Sequence, residues 1–289
     1  MGSVIVITNE KGGVGKTTTA GNLAAAYAMM GKRVLAIDMD PQRNLTDLMG
    51  VSQETARLHS VADAILERKE ADSSIVQTRT EGVDLLPATP KLREVERQFG
   101  ASFEQDKLLK SLLDSAKLDE YDIVVIDTHG AQNCLLTSSL AVSHYYLIPL
   151  FPEPDAARGV FDVIEYAERV RNATNRTLTL LGLMITGYDR RVSVHPRVTQ
   201  SLRDYGQKWN IRVFNTIIPF SSRVKTAAEQ QLLLASLRED APVTMAYQTL
   251  AGEILPLLKG RRVGRVSQPR LDEIASSIEA FEAMDEVIG

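Results

Sequence analysis

The chain has 289 residues, 44% hydrophobic and 24% charged, with a formal net charge of −4. This is ordinary globular composition, and its slight acidity means that any nucleic-acid binding must come from a local basic patch. The single cysteine, Cys134, excludes an internal disulfide framework and any cluster or zinc site built from several thiolates of one chain, and fits a reducing cytoplasm. Val4-Ile5-Val6-Ile7 is too short for the apolar core of a signal peptide, and no uncharged run approaches the roughly 18 residues of a membrane span.

Residues 4–8 are an apolar run closed by a glycine-rich turn, which predicts a buried strand. Residues 17–30 are rich in alanine and leucine and predict a helix with Gly31 at its C-cap. Residues 33–38 predict a second strand, and 83–87 and 123–127 two more. Ahead of the last, the stretch 103–117 sets Leu108, Leu109, Leu112, Leu113 and Ala116 on one helical face. Further strands are expected at 145–150, 178–185 and 211–218, with helices near 155–172, 196–208, 224–237 and 243–258. Trp209 and Phe214 are expected in the core. Short apolar runs alternating with helical patterns predict an α/β fold, a mostly parallel twisted sheet with helices on both faces.

After Leu258 the character changes. Lys259, Arg261, Arg262, Arg265 and Arg270 form a basic stretch without an acid. From Leu271 onward Asp272, Glu273, Glu279, Glu282, Asp285 and Glu286 occur without Lys or Arg. Leu271, Ile274, Ile278, Phe281 and Met284 recur every three or four residues, so an extra C-terminal amphipathic helix with an acidic face is expected. It would pack back on its own domain or bind a partner. The chain therefore divides into a domain over 1–258 and an appendage over 259–289.

The chemistry concentrates in Lys11-Gly12-Gly13-Val14-Gly15-Lys16-Thr17-Thr18. A strand, a glycine-rich turn and a helix opening on Lys-Thr form a phosphate cradle, because successive backbone N–H groups and the helix N-terminus converge on anionic oxygens. Lys16 would reach the β- and γ-phosphates, the Thr17 hydroxyl would ligate Mg²⁺, and Thr18 would contact the α-phosphate. The usual signature begins with glycine five residues before the second glycine. Here that place holds Glu10, followed by an extra lysine, Lys11. Two further strands end in acids, at Asp38-Met39-Asp40-Pro41-Gln42 and Ile126-Asp127-Thr128. Parallel sheets bind ligands at the carboxyl ends of their strands. Asp127 is therefore expected to hold Mg²⁺ through water. Asp40 is expected at the metal as well, and is the better placed to position the attacking water.

These three motifs together resemble the ParA/MinD family of deviant Walker A ATPases. Lys11 looks like the family's signature lysine, Asp38-Met39-Asp40-Pro41-Gln42 like its second motif and Ile126-Asp127-Thr128 like its Walker B strand. The likeness extends to Gly187-Tyr188-Asp189-Arg190 and to Ile218-Pro219-Phe220, which places Pro219 and Phe220 near the adenine. Asp-Pro-Gln is the partition-type form of the second motif and points to the ParA, Soj-like branch. The resemblance implies a single-domain P-loop NTPase fold, ATP and Mg²⁺ as cofactors, and slow ATP hydrolysis used as a switch. It also implies an ATP-sandwich homodimer in which Lys11 crosses to the partner's phosphates, with Asp40 orienting water. The ATP state would bind DNA non-specifically, and a ParB-like or cargo adaptor would stimulate hydrolysis. A plasmid, chromosome or protein assembly would be positioned over the nucleoid in this way.

Arg190, Arg191, Arg197, Arg223 and Lys225, with Arg261, Arg262 and Arg265, are the candidate DNA contacts, since they gather in the C-terminal half of an acidic chain. Three departures stand out. His129-Gly130 replaces the usual proline pair after Asp127-Thr128, the stretch 230–240 is longer than expected, and the tail after Leu258 has no clear counterpart. With the first strand at Val4 there is no preceding helix-turn-helix, so operator binding is not expected. The rival reading is a MinD-type membrane switch, which requires a basic polar face on the final helix where this one is acidic. No membrane partner is therefore expected. An iron–sulfur reductase relative would need two cluster thiolates, and a carboxylate-activating synthase would need a substrate pocket that the sequence does not reveal. His59, His144 and His195 show no ligand spacing.

Overall fold

The apolar runs become strands that are buried on both faces, which is why they lack a polar–apolar alternation. Within the computed structural model, residues 2–67, 69–102, 104–114, 118–233 and 241–258 are described. Eight strands form one sheet: β1 (Ser3–Ile7), β2 (Val34–Met39), β3 (Val76–Gln77), β4 (Val83–Leu86), β5 (Ile123–Thr128), β6 (Tyr145–Leu150), β7 (Thr179–Tyr188) and β8 (Val213–Pro219). Their order is β3-β4-β2-β5-β1-β6-β7-β8, and every pairing is parallel except β3 with β4.

Helices cover both faces, and successive strand residues divide between them. Val4 and Val6 pack on one side with Leu35, Ile37, Val124 and Ile126. That side is covered by α4 (Val61–Leu66), α5 (Leu92–Phe99), α6 (Leu108–Asp114), α7 (Cys134–Val142), α8 (Ala156–Ala173) and α9 (Val194–Trp209). Ile5 and Ile7 pack on the other with Val34, Ala36 and Val125. The helices there are α1 (Lys16–Met29), α2 (Asn44–Leu48), α3 (Gln53–Leu58), α10 (Arg223–Glu229) and α11 (Ala241–Leu258). Slipping β1 by one residue would exchange its two faces, so the two cores together fix its register.

Most predicted elements are present within a residue or two. Gly31 takes φ +75° at the end of α1, as its C-cap role requires. Trp209 lies in the core against Phe161, with ring centroids 4.9 Å apart, and Phe214 is buried. Leu108, Leu109, Leu112 and Leu113 are the buried face of α6, while Ala116 lies outside the described residues. One expectation needs correction. The helix expected over 224–237 stops at Glu229, and Gln231 turns out of it with φ +55°. Residues 234–240, and the basic stretch and amphipathic helix expected over 259–289, lie outside the described residues.

Candidate nucleotide site

Because β5 is inserted between β1 and β2, the carboxyl ends of three strands meet beside the loop that follows β1. Ile7 pairs with Asp127, and Asp127 with Asp38, in one row across the sheet. The loop itself is pinned from three neighbouring strands. Asn9 donates to the Pro149 carbonyl at 2.7 Å and accepts from the Lys11 N–H at 3.0 Å. Thr128 donates to the Ile7 carbonyl at 2.9 Å. Thr186 donates to the carbonyls of Val14 and Leu150, at 2.8 and 3.1 Å.

Gly13 and Gly15 take φ +74° and +86°, the left-handed region that residues with a Cβ disfavour. Gly15 also occupies the N-cap of α1 and offers no capping side chain. The first intrahelical bond there runs from the Thr19 N–H to the Gly15 carbonyl at 2.8 Å. The N–H groups of Lys16, Thr17 and Thr18 precede it and are left for an anion.

A cavity of about 840 Å³ opens over this loop. Gly12, Gly13, Gly15, Lys16, Thr17 and Thr18 line it, together with Glu10, Asp40, Gln42, the α2 residues Asn44, Asp47 and Leu48, and His129 to Gln132. Lys11 and Val14, expected among the ATP contacts, do not line it. Pro219 and Phe220 lie at the end of β8, three strands from β1, and do not line it either.

The electrostatics are arranged for a cation. Asp127 is fully buried, and neither carboxylate oxygen has a hydrogen-bond partner. Burial first and the adjacent Asp38 carboxylate second push its pKa well above the usual carboxylate range, with the nearby Thr17 hydroxyl and then Lys16 opposing. Asp38 is buried too and is pushed up to about 6 by burial. It accepts from the Thr46 N–H at 2.8 Å, the Thr46 hydroxyl at 2.7 Å and the Asp40 N–H at 3.1 Å. Two carboxylates in the interior, one of them with both oxygens orphaned, make a site whose ionised form a divalent cation would stabilise. Together with the Thr17 hydroxyl at the cavity wall, this donor set fits Mg²⁺. Among the described residues no cluster of three or more His, Cys, Asp or Glu could hold a metal ion.

Lys16 is half-buried and donates to the Lys11 carbonyl at 3.0 Å. Burial lowers its pKa, against the Asp127 and Asp40 carboxylates that hold it up. Lys11 points elsewhere. Its ammonium binds Glu153 and both oxygens of Asp155, the latter at 2.7 and 3.0 Å. Burial pulls its pKa down, but the Asp155 and Glu153 bonds outweigh it and leave the value raised.

Several site residues carried no signal in the sequence. Glu153 and Asp155 precede α8, more than 140 positions from Lys11. Glu10 accepts from Gln132, whose carbonyl accepts from Arg169 at 2.9 Å, so the loop after β5 is strapped to the phosphate loop and to α8. Gly130 fits that strap closely, since a Cβ there would lie 2.5 Å from the Glu10 carbonyl. His129 is exposed at the cavity, its Nδ1 accepting from the Ala131 N–H at 3.3 Å. Arg43 takes φ +57° just beyond Asp40 and pairs with Asp47 at 2.7 Å.

The candidate DNA contacts have a mixed placement. Arg190, Arg197 and Arg223 are exposed, and Arg191 is exposed but paired with Asp189 at 2.7 Å. The Lys225 side chain, and Arg261, Arg262 and Arg265, lie outside the described residues.

A family model described as an AAA domain matches residues 2–180. The chromosome-partitioning ATPase Soj of Thermus thermophilus is 36% identical over 87% of this chain and 94% of its own length. The chromosome partitioning protein ParA of Caulobacter vibrioides is 33% identical over 90% of this chain and 96% of its own. Among solved structures, cobyrinic acid a,c-diamide synthase from Mycobacterium smegmatis with bound ATP analog and magnesium superposes with a TM-score of 0.78. It is 30% identical and covers 93% of this chain and 98% of that one. With the phosphate loop, the two acidic strand ends and these relatives in agreement, the chain belongs to the ParA/MinD family of deviant Walker A ATPases, in its Soj-like branch.

Proposed function

We propose that this chain is a Mg²⁺-dependent partition ATPase, a switch whose ATP state is a DNA-bound homodimer. Residues 1–258 are its ATPase domain, and 259–289 are an appendage. The observation that carries the reading is the division of labour between two lysines of one loop. Lys16 faces its own cavity, whereas Lys11 is turned outward to a carboxylate pair at the surface. A lysine so placed is suited to the phosphates of a facing subunit, where it would act in trans as an arginine finger does.

Within one subunit, the free N–H groups of Lys16, Thr17 and Thr18 hold the phosphates, and Lys16 neutralises the β- and γ-oxygens. Thr17 would ligate the metal directly and Asp127 through water, while the metal supplies charge neutralisation at the transferring phosphoryl group. Asp40 lines the cavity and anchors its own turn, with Oδ1 accepting from the Gln42 N–H at 2.8 Å. That placement suits it to orient the attacking water. Pro219 and Phe220 would meet the adenine only as the far rim of the cleft.

The exposed Arg190, Arg197 and Arg223 support sequence-independent contact with DNA phosphates, joined by Arg191, Lys225, Arg261 and Arg262. A ParB-like or cargo adaptor that stimulates turnover, and a cytoplasmic, nucleoid-associated site of action, complete the reading. Among the described residues no helix is long and apolar enough to cross a membrane. The test measures ATPase activity and DNA gel shifts in wild type, Lys11→Ala, Lys16→Gln and Asp40→Ala. Lys16→Gln should lose nucleotide, and Asp40→Ala should bind ATP, dimerise and bind DNA without hydrolysis. Full stimulated turnover by Lys11→Ala would overturn the in-trans role. Equal DNA binding with ATP, with ADP and without nucleotide would overturn the switch.

A further inference from the structure

At the end of the sheet opposite the phosphate loop lies a second groove, of about 450 Å³, where β6, β7 and β8 begin. Leu180, Leu181, Ile211 and Leu257 supply its apolar lining, and Arg203 and Arg212 stand at its wall. The turn from α9 into β8 closes on it tightly. A Cβ on Gly206 would lie 2.7 Å from the Ile211 carbonyl. Among the described residues neither Arg203 nor Arg212 has an ion-pair partner. The nearby acid Glu253 is already engaged with the N–H groups of Asn215 and Thr216, at 3.1 and 2.9 Å. Among the described residues the groove therefore joins an apolar part to polar side chains and two arginines without an acidic partner, a surface that suits an amphipathic and acidic occupant.

We infer that the occupant is the chain's own segment 271–289, docked in this groove within the same molecule. Three observations point to it. Leu257 lines the groove, and α11 ends one residue later, so the appendage starts at the groove's rim. The connecting residues 259–270 can span up to about 40 Å when extended, ample to reach along it. The segment also matches in chemistry, with Leu271, Ile274, Ile278, Phe281 and Met284 at helical spacing and six acids unopposed by any Lys or Arg. Docking would place Lys259, Arg261, Arg262, Arg265 and Arg270 in a loop on this face, held at both ends. The inference does not depend on the nucleotide chemistry, because the groove shares no lining residue with the nucleotide cavity.

The test is hydrogen exchange on the full-length protein, in wild type, in Arg203→Glu/Arg212→Glu, and in that variant carrying Glu279→Arg/Glu282→Arg. Amides of 271–289 should be protected in wild type and lose about tenfold or more of that protection when the two arginines are reversed. Exchange in β1 and β5 should stay unchanged, which reports an intact fold. Reversing the tail charges as well should restore protection. Exchange of 271–289 at the rate of a free peptide in wild type overturns the inference. So does protection indifferent to the arginines, including the case where their reversal weakens only DNA binding. Protection that vanishes on dilution places the tail of a second copy in the groove and overturns docking within one molecule.

Discussion

The Lys11 ammonium and the Asp155 carboxylate of the same chain are joined through both carboxylate oxygens, at 2.7 and 3.0 Å, with Glu153 on the same ammonium. A lysine destined for a partner's phosphates must first leave these two acids. Their side chains are 44% and 65% exposed, so each pair is worth about 1 kcal/mol or less. Glu153→Ala/Asp155→Ala is therefore expected to tighten ATP-dependent dimerisation by roughly three- to tenfold, read by analytical ultracentrifugation. A weaker or unchanged dimer would mean that the acids serve the assembled state instead.

The buried pair Asp38–Asp127 gives a pH dependence with a definite sign. Both folded pKa values lie above the ordinary carboxylate value of 3.8, with Asp38 at about 6. The folded state thus binds more protons than the unfolded one between those limits. Without divalent cation, stability should fall as pH rises above about 4, through the Asp38 value of about 6, and go on falling until Asp127 has ionised. Asn keeps an acceptor oxygen for the nearby Thr17 hydroxyl and removes the buried charge, so Asp127→Asn should raise the melting temperature of the metal-free protein at pH 7.5 by about 3–6 °C. Hydrolysis should be lost. Calorimetry at pH 5 and 7.5 checks both halves, and a lower melting temperature at neutral pH would count against a buried charge.

Gly130→Ala tests the strap between the two loops. Its new Cβ would meet the Glu10 carbonyl at 2.5 Å, a backbone atom that can yield only if the phosphate loop moves. ATP turnover should drop by about tenfold or more, with stability within about 1 kcal/mol of wild type because the contact is half-exposed. Wild-type turnover would show that the loops are not coupled.

Glu253→Ala tests the outer edge of the sheet. Among the described residues β8 has a neighbour on one side only, and Glu253 receives the N–H groups of Asn215 and Thr216 together with the Thr216 hydroxyl. Losing that carboxylate should destabilise the fold by about 1–3 kcal/mol in urea titrations and increase light scattering on heating, as an uncovered edge pairs with others. Glu253→Gln keeps an acceptor oxygen and should lose less.

What the sequence made legible is local. The phosphate loop, the two acidic strand ends and the strands themselves are each encoded in fewer than about ten consecutive residues, where periodicity and glycine placement speak directly. The short helices α2 to α4 escaped because segments of five or six residues complete less than two turns and show no usable repeat, whereas α5, with Leu92, Val95 and Phe99 at helical spacing, was legible though not among the helices expected above. α7 escaped for another reason. Cys134, Leu135, Leu136, Ser138, Ser139 and Leu140 are buried almost all round, so the helix has no polar face to mark it. The site's remaining residues are matters of tertiary contact. Nothing near Lys11 announces Glu153 and Asp155, and nothing near Glu10 announces Gln132, because those partners arrive only when β5 and β6 flank β1.

The pins on the phosphate loop have a thermodynamic consequence. Asn9, Thr128 and Thr186 already hold it to β5, β6 and β7 before any ligand arrives. An incoming nucleotide meets a preorganised cradle, so little of its binding free energy is consumed in ordering that segment. The surplus remains for movement elsewhere, above all for prising Lys11 from its two acids and presenting it to a second subunit.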